Sequence, residues 1–105
     1  MKVAAYVPDL MDQSRFGSVD AEVSFCRTPE ELVTAAVDAE LVVLDAGRPG
    51  ILDVVPLLGE TRVVAFMSHV DTDLRAAVQR AGITEVMPRS RFFSHIAEIV
   101  TKGNH

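Results

Sequence analysis

Short runs of apolar residues, continuous or alternating with polar ones, recur along this chain: VAAYV at 3–7, AEVSF at 21–25, LVVL at 41–44, RVVAFM at 62–67 and ITEVM at 83–87. Each is bounded by polar or turn-forming residues and predicts a strand. Between the second and third runs the period lengthens. TPEELVTAAVDA opens with Thr28 as N-cap, Pro29 at the first helical position and Glu31 placed for a capping box, and it aligns Leu32, Val33, Ala36 and Val37 in one stripe. After the fourth run, DTDLRAAVQRAG puts Leu74, Ala77, Val78 and Ala81 on one face, with Asp71 and Asp73 at its start and Gly82 as its stop. SRFFSHIAEIV predicts one last helix starting at Ser90 that buries Phe93, Ile96, Ala97 and Val100 and docks through Phe93; residues 101–105 form a frayed tail. The two remaining connections carry weaker helical signals. LMDQSRFGSV has room for about two turns before Gly17, and ILDVVPLL contains Pro56, which fits only near a helix start, where amide donors are free.

Strands alternating with helical crossovers predict an α/β fold, a mostly parallel sheet covered on both faces and joined by right-handed connections. The flavodoxin-like order 2-1-3-4-5 for the five strands, in a three-layer sandwich, fits best. At 105 residues, with no linker, repeat or low-complexity stretch, the chain reads as one domain spanning 1–105.

Composition then narrows the function. A net charge of -5, with ten Lys and Arg spread along the chain, argues against a nucleic-acid partner, since phosphate contacts need clustered cations. No stretch approaches the roughly 20 apolar residues of a membrane-spanning helix or matches a signal peptide, so the expectation is a cytoplasmic protein without a membrane partner. Cys26 is the lone cysteine and reads as a small core residue.

In an open parallel sheet of this order, ligands bind beyond the carboxyl ends of the strands, between the first and third. Asp45 ends the third strand there and Asp9 follows the first, so two carboxylates distant in sequence are expected to meet. Such a pair suits Mg²⁺, a hard cation that takes oxygen ligands and keeps several waters. Ser68 after the fourth strand offers a hydroxyl, and Arg89 after the fifth offers a fixed cation shaped for phosphate. Each residue also has a purely structural use. Asp45 can accept the amides of the turn at Gly47 and Arg48; Asp9 can cap the first helix; Arg89 can pair with Asp9 or Asp45 and make a metal unnecessary. His69, Asp71 and Asp73 lack ligand spacing, and the two acids suit a helix start.

The residues resemble the receiver domains of two-component response regulators over nearly the whole chain. LDAGRP, with Asp45 followed four residues later by Pro49, is similar to the family's phosphoacceptor motif. The resemblance implies phosphorylation of Asp45, Mg²⁺ held by Asp9 and Asp45, and phosphoryl oxygens bound by Ser68 and Arg89. Departures are also plain. Only the second acid of the family's pair is present, at Asp9 after Pro8. Arg89 stands where the family has Lys, Ser90 follows where a Pro is usual, and Val86 replaces a common aromatic residue.

Three readings follow. The first is a stand-alone, non-enzymatic receiver that accepts phosphate from a histidine kinase and signals to a downstream target, or to a second copy through the last two strand-helix units. The second is a pseudo-receiver, an interaction module without the phosphate chemistry. The third, a small flavodoxin-like ligand binder or enzyme, ranks last, because the chain has no Gly-rich phosphate loop.

Overall fold

The computed structural model describes residues 1–68 and 71–101. Its strands are β1 (Lys2–Tyr6), β2 (Glu22–Phe25), β3 (Leu41–Asp45), β4 (Arg62–Met67) and β5 (Glu85–Pro88), all parallel and ordered β2-β1-β3-β4-β5, as the pattern predicts. The helices are α1 (Leu10–Ser14), α2 (Pro29–Ala36), α3 (Thr72–Arg80), α4 (Arg89–Ser94) and α5 (Ile96–Thr101), with short 3-10 helices at Arg15–Ser18 and Leu52–Leu57.

Alternation along the central strands builds two cores. Ala4 and Tyr6 of β1, Val42 and Leu44 of β3, and Ala65 and Met67 of β4 face α2, α3 and the second 3-10 helix through Leu32, Val78 and Val55. Val3, Ala5, Val43, Val64 and Phe66 face the other way, onto Phe16, Phe92, Ile96 and Val100. Burial on both faces explains why these strands read as near-continuous apolar runs. At the amino end of the sheet, Arg62 donates from Nε and Nη2 to Glu85 at 2.8 Å each, and from Nη1 to the Ile99 carbonyl at 3.0 Å, tying β4 to β5 and α5.

Local signals set the helix starts. Thr28 Oγ1 accepts the Glu31 amide at 3.1 Å, while the Glu31 carboxylate reaches one residue beyond the cap, to the Arg27 amide. Asp71 Oδ1 caps α3 by accepting the Leu74 amide at 3.0 Å. Gly82 ends that segment at φ +103°, a conformation side chains resist. Pro56 lies within the second 3-10 helix, a short tight element in place of a true α-helical crossover.

The final segment departs from expectation. It breaks at His95 (φ -125°, ψ 24°), after Ser94 Oγ donates back to the Ser90 carbonyl at 2.8 Å, a bond that bends helices. Phe92, not Phe93, is the fully buried aromatic, stacked 5.1 Å from Phe66; Phe93 is half-buried and Ala97 exposed. Thr101, expected in the frayed tail, ends α5; residues 102–105 of that tail and His69 lie outside the described residues. Cys26 is buried, and desolvation, followed by the nearby Glu31 charge, raises its thiol pKa above the ordinary value.

Candidate functional site

The carboxyl edge of the sheet gathers the ends of β1, β3, β4 and β5. Asp45 is the last residue of β3, in register with Phe66 of β4, and its side chain is only 14% exposed. Both of its oxygens have partners. Oδ1 accepts the Gly47 amide at 3.0 Å, and Oδ2 accepts Arg48 Nε at 3.1 Å. The turn use of Asp45 is therefore realised, with a guanidinium three residues on as a second partner.

Asp9 follows β1 and is the N-cap of α1: Oδ1 accepts the amides of Met11 at 2.8 Å and Asp12 at 3.2 Å. Ser68 follows β4 directly and is exposed. Arg89 opens α4 just beyond β5 and turns inward to Asp12 of α1. Its Nε donates to Asp12 Oδ2 at 3.0 Å, and its Nη2 donates to Oδ1. The fork is bidentate, the geometry in which a guanidinium holds a carboxylate best. Asp12 is the buried charged residue among those described, at 2% exposure, whereas the Arg89 side chain is 38% exposed.

Arg89 feels all three acids. Its pKa is raised above the ordinary arginine value chiefly by the hydrogen bond to Asp12, against a lowering by desolvation, and further by the charges of Asp12, Asp9 and Asp45. Its Cζ also lies 5.7 Å from the centroid of Phe93, which receives Arg15 at 5.1 Å. The edge thus places Asp9 and Asp45 where their charges act on Arg89. The partner of Arg89, however, is Asp12 and not either of the two acids anticipated.

Asp12 and Arg48 are the residues that sequence reasoning missed. Each sits three positions after a residue already singled out, Asp9 and Asp45, and that spacing permits contact across one turn.

A divalent cation needs oxygen lone pairs converging on one point. Here the lone pairs of Asp12 and Asp45 meet guanidinium and amide donors, and one oxygen of Asp9 meets two amides. Among the described residues no group of three or more His, Cys, Asp or Glu side chains is arranged to hold a metal. As placed, this donor set does not fit Mg²⁺.

No protein-family model and no curated protein matches the sequence. Solved structures do match. The Mn²⁺-bound form of the response regulator Rcp1 shares 14% identity at a TM-score of 0.73, over 95% of this chain and 91% of that one. The phosphorylated cyanobacterial phytochrome response regulator RcpA shares 18% at 0.70, over 96% and 89%. A response regulator from Thermotoga maritima shares 17% at 0.73, over 97% and 95%. With its five parallel strands in the order 2-1-3-4-5 and its acidic carboxyl edge, the chain has the fold of response-regulator receiver domains.

Proposed function

We propose that this protein is a receiver-like interaction module whose edge acids Asp12 and Asp45 are paired with its own arginines, so that it works without phosphorylation and without Mg²⁺. The observation that carries this reading is the bidentate pair of Arg89 with buried Asp12. A buried carboxylate demands a counter-charge. Where a permanent cation from the chain supplies it, an exchangeable metal has no corresponding role, and the Nε and Nη2 donors of Arg89 are already committed to Asp12.

Output then comes from docking. Leu10 and Met11, each 77% exposed, project from the start of α1, and Leu10 lines a groove of about 430 Å³ with Pro8, Gln13, Phe25, Cys26 and Arg27. Neighbouring exposed apolar side chains of this kind suit a protein partner.

Phosphate acceptance at Asp45 is the second reading, favoured by the place of Asp45 at the end of β3 and by the fold shared with phosphorylated RcpA. Intact-protein mass after incubation with a small-molecule phosphodonor and Mg²⁺ separates the two. An unchanged mass is expected; gain of one phosphoryl group, abolished in Asp45→Asn, overturns the proposal.

A further inference from the structure

Arg48 has no counterpart in the chemistry anticipated for this edge. It lies three residues after Asp45 in the turn that follows β3, its side chain 39% exposed and its Nε 3.1 Å from Asp45 Oδ2. The other Asp45 oxygen is held by the Gly47 amide, so the guanidinium takes the side of the carboxylate left for an incoming ligand. Arg89 commits its Nε and Nη2 to the two oxygens of Asp12, and Arg48 is the guanidinium that hydrogen-bonds Asp45.

Resting on the reading of a metal-independent edge, we infer that Arg48 is the positioning residue that keeps cations off Asp45. Its charge stands in the place of a metal at the end of β3, and its tether makes that occupancy intramolecular. Three carboxylates, Asp9, Asp12 and Asp45, then face two guanidiniums, Arg48 and Arg89. One excess acid is left, which is too little to draw a divalent ion past a neighbouring fixed cation. Loss of Arg48 leaves two excess acids and frees Asp45 Oδ2 at the edge where Asp9 and Asp45 both act on Arg89. The nearby Arg89 remains tied to Asp12.

The test uses Mn²⁺ as probe and amide line broadening as readout, on the full chain and on Arg48→Ala, Arg48→Gln and Arg48→Lys. Arg48 is part-exposed and in a turn, so the variants should fold, and retained amide shift dispersion verifies it. The expected result is selective broadening at residues 8–10 and 45–47 in Arg48→Ala and Arg48→Gln, with Mn²⁺ affinity on the order of tenfold above that of the parent and of Arg48→Lys, which keeps the charge. Folded Arg48→Ala and Arg48→Gln that behave like the parent overturn the role of Arg48 and leave the metal-independent reading standing. Selective broadening in the parent itself overturns both.

Discussion

Arg89, at the start of α4, grips Asp12 of α1 through both arms of its guanidinium, and Asp12 lies almost wholly inside the protein. Segments 77 residues apart in sequence are thereby pinned across the carboxyl edge of the sheet. The relationship gives the acidic edge a structural purpose of its own.

Removing one partner of that pair should be expensive. Arg89→Met leaves the Asp12 carboxylate buried without its counter-charge and is expected to lower unfolding free energy in urea by about 3 kcal/mol, the low end for a broken buried pair because Arg89 is part-exposed. Asp12→Asn combined with Arg89→Met should recover much of the loss. A double variant as unstable as Arg89→Met would show that the buried charge is not the source.

Asp9 is expected to matter for capping rather than for metal. Asp9→Ala should cost about 1 kcal/mol through loss of the bonds to the Met11 and Asp12 amides. Thermal melts should give the same loss in EDTA as in Mg²⁺; a loss seen only with Mg²⁺ would restore Asp9 as a ligand.

The strand order and most elements were legible because period-2 and period-3.6 patterns follow element type, and each strand of the sheet is set by its own short apolar run, although Val37, expected on the apolar stripe of α2, follows that helix and is 82% exposed. The cap at Thr28 and the stop at Gly82 were legible for the same local reason. The last helix was harder. An apolar stripe cannot tell Phe92 from its neighbour Phe93 when a break at His95 resets the phase. The meeting of Asp12 with Arg89 depends on how α1 and α4 flank β1 and β5, and no local pattern in either segment encodes it.

Phe92 stacks on Phe66 and approaches Phe16 at 6.1 Å, at the centre of the aromatic cluster. Phe92→Ala should therefore destabilise by about 3 to 5 kcal/mol in urea unfolding. Phe93→Ala, at a half-buried position, should cost clearly less, and the reverse ranking would contradict the observed docking of α4.

Burial raises the pKa of Cys26, so its thiol should alkylate more slowly than a free cysteine at mildly alkaline pH. The sign of the linkage follows from the direction of the shift. The folded state holds its proton to higher pH than the unfolded state, so this contribution is fully present below the ordinary thiol pKa. It declines as pH rises from there through the raised value. Cys26→Ala should flatten that part of the alkaline stability profile; an unchanged slope would place its origin elsewhere.

The central claim, that the chain's own arginines serve where a metal would, is tested most directly by titrating the unmodified protein with Mg²⁺ and following the amide resonances of residues 9, 12, 45 and 47. The account predicts no saturable shift at these positions beyond the general effect of ionic strength. Saturable shifts confined to them, lost in Asp45→Asn, would contradict it.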